Sequence, residues 1–436
     1  MAEKYPLTVD GFYEFVQNEL VGKPETTPGQ DPEDCGQHTP VMDGEVGHVG
    51  ENMAIAFARC LGCDNPLYTN PVYGRKTRYG GLIAIPTITN LIRYLPPHPK
   101  GYGDWPVSSL VGGLGWVWND VIRPGDQFVS SFYLNEVIKK KGRTGVLLIT
   151  KSDAKYWNQY KELVATGVGS QIMIGRDLTE EEIKEGKGFS ESMLYERPTY
   201  KYSAEEIKKI EEGINAEKMR GAEPLFWEDV KVGDQLTPVV KGPLTMGDLM
   251  NYCSMLMGAS QSCFEIPYRH SKAASRTPTA NPATGWPYES GWMEHYDFHL
   301  CKARGLPGPF DEGQQRCCTP AHLLSNWMGD GGFIRRIETQ LRKPNYYGDT
   351  QWVYGEVIKT YKDKKGDEEY GAVDIKISQI NQVGENTAPG IATVYLPSPE
   401  KPVKLPVPHE NKYEEYTKYL LDCKKRREEL KAQGLL

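Results

Sequence analysis

The sequence predicts an α+β fold made of two similar domains, each a helical stretch followed by an antiparallel sheet. Two long runs that alternate apolar and polar residues predict the sheets, one after Asp126 and one after Asp349, an offset of 223 residues (349 − 126). Short motifs recur at a similar distance, since Glu136-Val-Ile-Lys139 returns as Glu356-Val-Ile-Lys359. A duplication this long indicates two domains, because the period of a solenoid is far shorter.

The elements follow in the same order in both halves. Apolar residues at helical spacing predict a helix from Glu51 to Gly62 and another from Thr245 to Gly258, each ending at a glycine. A polar loop, a second helix and the sheet follow each of them. We therefore predict a first domain over 1–180, a charged helical linker over 181–222, a second domain over 223–400 and an amphipathic tail helix over 401–436.

Composition excludes several classes of function. The net charge of −7 argues against a nucleic-acid partner. No apolar run approaches the roughly 20 residues that a membrane helix needs, and the first residues have no signal-peptide core. The nine cysteines include the adjacent pair Cys317-Cys318, which suits reduced thiols. We expect a cytoplasmic protein without a membrane segment.

The stretch SGWMEHYDFH, residues 290–299, concentrates residues that can do chemistry. His295, Asp297 and His299 are spaced by two residues, so a metal site and an acid/base site are both open on spacing alone. The residues from His299 onward begin a predicted helix that would carry His299 away from the loop. This favours an acid/base site at His295 without a metal.

The order of helix, polar loop, helix and sheet resembles the hotdog fold. Two such units in one chain resemble the double-hotdog acyl-thioester hydratases and dehydratases of the MaoC-like group, whose loop reads Gly-Asp-x-Asn-Pro-x-His with a glycine eighteen residues after the histidine. His295 and Gly313 match those two positions. In the first half, Tyr68 and Pro86 occupy them, and both pairs are offset by 227 residues (295 − 68 and 313 − 86).

The resemblance implies that His295 handles the proton of water or substrate, and that the Gly313 N–H donates to the thioester oxygen. Tyrosine is a poor base near neutral pH, and proline has no N–H to donate. Cys63 stands where the first-half loop should carry its aspartate. We therefore interpret the first half as a binding wall without catalytic residues and the second half as the active one.

The second half departs from the family pattern as well. Ser290 stands where the family aspartate should be, and an insertion rich in Pro, Ser and Thr precedes it. We interpret the insertion as a lid or a reshaped pocket, with a spare surface loop as the alternative. We predict that Glu289 replaces the missing acid, with Glu294 and Glu265 as the other candidates.

The remaining predicted site residues line the substrate. Arg316 and His322 lie on the predicted helix after Gly313 and either face the ligand or satisfy buried groups. Basic residues near the expected cleft mouth are candidates for phosphate groups: Arg335, Arg336, Arg342 and Lys343. The full predicted set of substrate-binding residues is Tyr68, Tyr296, Asp297, Asp311, Arg316 and His322.

These features predict a hydro-lyase that acts on an enoyl- or 3-hydroxyacyl thioester. The alternatives are a hotdog thioesterase and a non-catalytic acyl-CoA-binding protein, because one fold hosts several functions. We expect an acyl-CoA or acyl-carrier substrate, no metal or redox cofactor, and a homo-oligomer, most simply a dimer.

Overall fold

The structure is a computed structural model. It describes residues 4–24, 47–96, 105–141, 145–175, 181, 198–257, 280–286, 293–303, 306–410 and 413–433. Within these ranges, nine strands form one sheet in the order β2-β3-β4-β1-β6-β9-β8-β7-β5. The strands are β1 Val107–Trp118, β2 Val129–Lys141, β3 Val146–Trp157, β4 Leu163–Gly175, β5 Val239–Lys241, β6 Phe333–Gln340, β7 Gln351–Lys365, β8 Glu368–Asn381 and β9 Gly390–Leu396.

The strand order is that of a duplicated unit. The series β2-β3-β4-β1 is followed by its mirror image β6-β9-β8-β7, and β1 pairs with β6 in antiparallel fashion at the centre. Burial alternates along strands such as β4, as the pattern of the sequence predicts. The central strands β1 and β6 were not predicted. The segment of β1 is rich in glycine and that of β6 is rich in charged residues, so neither shows a clear alternation of apolar and polar residues.

The close approach of β1 and β6 depends on a glycine. Gly113 lies at a register shift in β1, and a Cβ atom there would come within 2.5 Å of the Thr339 carbonyl oxygen. The shift is a bulge in the β1–β4 ladder, and it bends β1 at the point where its other edge begins to pair with β6. The two halves therefore share one continuous sheet.

Helices precede the long strands of each half, and one more follows the last strand. They are α1 Val9–Phe15, α2 Glu51–Cys60, α3 Pro66–Thr69, α4 Pro71–Gly74, α5 Thr89–Ile92, α6 Ala204–Asn215, α7 Met246–Met257, α8 Phe298–Ala303, α9 Gly313–Cys318, α10 Pro320–Met328 and α11 Tyr413–Ala432. A π-helical turn covers Val16–Leu20, and 3₁₀ turns cover Pro86–Ile88, Trp227–Asp229 and Met293–His295. The predicted helices at Glu51 and Thr245 correspond to α2 and α7.

The central helix is longer in the second half than in the first. There, α9 and α10 are joined at Thr319, and Pro320 begins α10 at a position where its missing N–H costs nothing. Most of α10 is buried, including its polar residues. In the first half, the same place holds only the 3₁₀ turn at Pro86 and the four residues of α5. The second half therefore buries more polar side chains along its central helix than the first half does.

The linker and the tail both pack against the folded halves. Ser203 and Glu206 form a capping box at the start of α6, which buries Ile210. The tail helix α11 returns to the first half, where Tyr416 and Tyr419 pack on Trp157 with ring centroids 5.6 and 6.0 Å apart. Along the described ranges, every helix is too short or too polar to cross a membrane.

Candidate active site

His295 ends the 3₁₀ turn before α8 and is 8% exposed. Its Nδ1 lies 2.7 Å from the Phe310 carbonyl oxygen, and its ring packs edge-on against the Phe310 ring. The Phe310 N–H donates to the Glu294 carbonyl oxygen at 3.3 Å, which ties the two segments together. The ring is therefore held by the chain just before α9.

The contact at Nδ1 determines the tautomer of the ring. A backbone carbonyl oxygen can only accept a hydrogen bond, so Nδ1 of His295 carries a proton. In the neutral ring, Nε2 is then the nitrogen that carries the lone pair in the plane of the ring. The backbone thus prepares His295 to take up a proton at Nε2.

Glu312 faces that nitrogen. Its Oε1 lies 3.1 Å from His295 Nε2, and the Glu312 side chain is 4% exposed. The two atoms are within ion-pair distance, although their angle is not that of a straight hydrogen bond. Burial raises the pKa of Glu312, while the nearby His295 opposes that shift and Asp311 adds to it. Although Glu312 precedes α9, its side chain makes no capping hydrogen bond there and is turned to the imidazole instead.

Gly313 and Gln314 follow directly at the start of α9. As the first helical residue, Gly313 has no partner for its N–H within the helix. The side chain of Gln314 is completely buried, and neither its amide oxygen nor its amide nitrogen has a hydrogen-bond partner. Buried amides in folded proteins are nearly always paired, so this unpaired amide, two residues after Glu312 in the chain, is a candidate contact for a polar group of a ligand.

A buried polar network supports the start of α9. Asp311 lies 2.6 Å from Arg316 Nε and accepts from the Asn345 N–H at 3.1 Å. Gln379 donates to the Arg316 carbonyl oxygen at 2.9 Å and accepts from Gln351 at 3.1 Å. The predicted ligands Asp311 and Arg316 thus pair with each other beneath the turn that carries Glu312 and Gly313.

The corresponding place in the first half contains neutral groups. Tyr68 is 1% exposed, and its hydroxyl lies 3.1 Å from Ser325 Oγ on α10 of the second half. Burial raises the pKa of Tyr68 well above its ordinary value and that of the Cys63 thiol to about 11. Pro86 begins the 3₁₀ turn and has no N–H. Tyr68 and Cys63 are therefore protonated at neutral pH.

His322 lies in a second buried group. Its Nδ1 is 2.7 Å from Lys241 Nζ, and its Nε2 is 3.0 Å from the Asn326 side-chain amide and 3.8 Å from Glu217. Burial lowers the pKa of His322 well below its usual range and that of Lys241 to about 8. Lys241 also approaches Gly62, where a Cβ atom would come within 2.8 Å of its Nζ. The contacts of Tyr68 and His322 thus involve α10 and β5, and Lys241 of β5 also lies near the loop after α2.

The other predicted residues have varied surroundings. Asp297 accepts from the Leu300 N–H at 2.7 Å and from the Asn281 amide at 2.8 Å, so it holds the start of α8. His299 is exposed on α8, and Tyr296 is half-buried beside His295. In the described part of the chain, no group of three or more His, Cys, Asp and Glu side chains is placed to hold a metal ion. Glu289, Glu265 and Ser290 lie outside the described residues.

Each basic residue predicted near the cleft mouth has a partner. Arg335 donates to Asn119 Oδ1 at 2.6 Å, and Arg342 donates to the Gln340 amide oxygen at 2.5 Å. Arg336 pairs with Glu338, and Lys343 pairs with Glu385. The pairs of Arg336, Arg342 and Lys343 are at least partly exposed, whereas Asn119, the partner of Arg335, is buried, and a phosphate-binding role for the four side chains stays a prediction.

Comparisons with known proteins agree with this architecture. A family model described as the FAS1-like dehydratase domain region matches residues 37–167. The chain is similar to a MaoC-like dehydratase with 14% identity and a TM-score of 0.55, over 87% of this chain and 99% of that one. It is also similar to a MaoC domain protein dehydratase from Chloroflexus aurantiacus J-10-fl with 14% identity and a TM-score of 0.50, over 86% and 99% of the two chains. No curated protein sequence matches this one.

The chain therefore has the double-hotdog fold of the MaoC-like dehydratases, and the resemblance predicted from the sequence is confirmed. The matched family model supports an enzyme of the hydratase/dehydratase type. The match falls on the first half, where Tyr68 and Pro86 stand at the positions that the resemblance assigns to the histidine and the N–H donor.

Sequence reasoning missed Glu312. It lies one residue before Gly313, the position that the family resemblance singles out, and so its place in the sequence was a usable signal. An acidic residue before a helix is common for electrostatic reasons, however, and such a residue usually interacts with its own helix. Only the position of His295 across the loop shows that this carboxylate contacts the imidazole instead.

Proposed function

We propose that this chain is a hydro-lyase that adds water to an enoyl thioester or removes it from a 3-hydroxyacyl thioester. His295 takes the proton from water, and the Gly313 N–H donates to the thioester oxygen as the enolate forms. One observation carries the proposal. The His295 ring is fixed by the Phe310 carbonyl oxygen, with Nε2 directed at the residue that precedes Gly313.

In the hydration direction, His295 Nε2 removes a proton from water while the oxygen bonds to the β carbon. The π electrons of the double bond move toward the thioester, where the Gly313 N–H faces the developing negative charge. The α carbon then takes up a proton. Dehydration follows the same steps in reverse, so the same residues serve both directions.

The first half supports substrate binding rather than catalysis. Tyr68 and Cys63 remain protonated at neutral pH because they are buried, and Pro86 cannot donate. The first half matches a dehydratase family model, which is compatible with a role as the wall that completes the substrate cleft. Coenzyme A or a carrier protein brings the acyl group, and a homodimer is the expected assembly.

A panel of enoyl-CoA thioesters of increasing chain length tests the proposal. Hydration removes the absorbance of the conjugated thioester, whereas thioester hydrolysis releases a free thiol. His295→Ala should lower kcat by about 10²- to 10⁴-fold, the usual contribution of a general base. His299→Ala is the matched control, because His299 is exposed on α8 four residues away.

The three outcomes separate the functions. Hydration that depends on His295 supports the hydro-lyase. Thiol release without hydration favours a thioesterase, and binding of acyl-CoA without turnover favours a non-catalytic acyl-CoA-binding protein. Full hydratase activity in His295→Ala contradicts the site assignment.

A further inference from the structure

We propose that Glu312, rather than Glu289, is the catalytic carboxylate that works with His295, and that the two residues share one proton which is restored after every turnover. This inference rests on the proposed hydro-lyase function. It goes beyond the family pattern, in which the acid lies in the same loop as the histidine, at the position that Ser290 occupies here.

The contacts of Glu312 give it no evident structural purpose. Its side chain does not cap α9, and Oε1 has no hydrogen-bond partner among the described residues, although it lies within ion-pair distance of His295 Nε2. Burying a carboxyl group without such bonds costs folding free energy. Asp311, one residue earlier, shows the contrasting case, because both of its oxygens are used by Arg316 and Asn345. An acid buried at such a cost beside a fixed imidazole is typical of a catalytic group.

The number of protons follows from the geometry. Because Nδ1 keeps its proton on the Phe310 carbonyl oxygen, Nε2 and Oε1 are the two atoms that can hold the proton that we propose the pair shares. It is either on Glu312, with a neutral imidazole, or on His295, with an ionised carboxylate. Burial favours the neutral carboxyl form, and the pKa of Glu312 is raised accordingly.

This pair balances the reaction. During hydration, neutral His295 takes a proton from water at Nε2, and the hydroxide oxygen bonds to the β carbon. The π electrons form the enolate, and protonated Glu312 gives its proton to the α carbon. The enzyme is left with protonated His295 and ionised Glu312, which has the same total number of protons. Transfer from Nε2 to Oε1 across the 3.1 Å gap restores the starting state without a proton from bulk water.

Glu312→Gln tests the inference, because it keeps the size of the side chain and removes the exchangeable proton. We expect kcat to fall by about 10²- to 10⁴-fold while KM changes little. The bell-shaped pH profile of the wild type should lose its alkaline limb, which reports loss of the shared proton. Glu312→Asp should retain part of the activity. Glu211→Gln, at an exposed position of α6, is the matched control variant and should keep the wild-type rate.

A second measurement does not depend on turnover. In protein labelled with ¹⁵N-histidine and with ¹³C at the glutamate carboxyl carbons, the Nε2 signal of His295 and the carboxyl signal of Glu312 together report where the shared proton lies, and Glu312→Gln assigns the carboxyl signal. Because burial favours the neutral carboxyl form, we expect a protonated carboxyl signal and an unprotonated Nε2 signal at neutral pH. Signals that show both groups protonated, or neither, reject the pair even if the chain turns over no thioester, an outcome that would itself reject only the proposed function. A wild-type rate in Glu312→Gln, or a large loss in Glu289→Gln, also overturns the inference.

Discussion

The amide of Gln314 is a group whose removal should stabilise the protein. It is completely buried at the start of α9, and neither of its polar atoms has a hydrogen-bond partner. A buried polar group without a partner costs about 1–3 kcal/mol. Methionine has a similar length and volume, and volume-conserving changes cost less than about 1.5 kcal/mol. Gln314→Met should therefore raise the free energy of unfolding, by about 1 kcal/mol.

Gln351 provides a matched control with the opposite sign. It is also buried, at 4% exposure, but it donates to Gln379 at 3.1 Å and accepts from Asn345 at 2.6 Å. Gln351→Met leaves the Asn345 donor without its acceptor, and should lower the free energy of unfolding by about 1–3 kcal/mol. Urea unfolding followed by tryptophan fluorescence measures both variants against the wild type.

The comparison also bears on the role of Gln314. If its amide contacts the substrate, Gln314→Met gives a more stable protein with a higher KM. Such a trade-off between stability and activity is common at functional sites. A Gln314→Met variant that unfolds at lower urea than the wild type would refute the reasoning, because it would mean that the amide has a stabilising partner.

Two further predictions concern buried charges. Arg316→Met leaves Asp311 buried without its partner and should destabilise the fold by about 3–5 kcal/mol. Arg336→Met removes a half-exposed pair with Glu338 and should cost less than about 1 kcal/mol. The urea concentrations at the unfolding midpoints distinguish the two variants. Burial lowers the pKa of Lys241 to about 8, so at this lysine the folded state binds fewer protons than the unfolded state above that pH, which contributes a rise in stability between about pH 8 and the ordinary lysine pKa of about 10.4. Lys241→Met should show a smaller rise over this interval in pH-dependent unfolding, and an identical pH dependence in both proteins would contradict the cause assigned to the shift.

The repeated sheets could be predicted because their signal is local. Alternation of apolar and polar residues marks β2, β3, β7 and β8, and the duplication of their motifs relates one half to the other. The strands β1 and β6 escaped prediction, although they join the halves. Their pairing brings Gly113 against Thr339, residues 226 apart (339 − 113), and depends on a close backbone approach that no local pattern indicates.

The residues of the site, too, were predicted only in part from the sequence. The resemblance of the sequence to a known loop singled out His295 and Gly313, and the structure holds the residue before Gly313 against His295. Arg316 and His322 were predicted to face ligand or to satisfy buried groups. In the structure, Arg316 pairs with Asp311, and His322 pairs with Lys241, which lies 81 residues away in the chain. For a side chain on a buried helix, the neighbouring sequence does not show which distant residue it will contact.

The sequence by itself determined the duplicated α+β architecture, the family resemblance and the histidine, because each depends on residue type and spacing along the chain. Only the tertiary structure decided which acid accompanies that histidine. The choice depends on distance and burial: folding brings Glu312 to 3.1 Å from His295 and removes it from water. Desolvation and proximity together set the chemistry of the pair, and neither can be read from spacing alone.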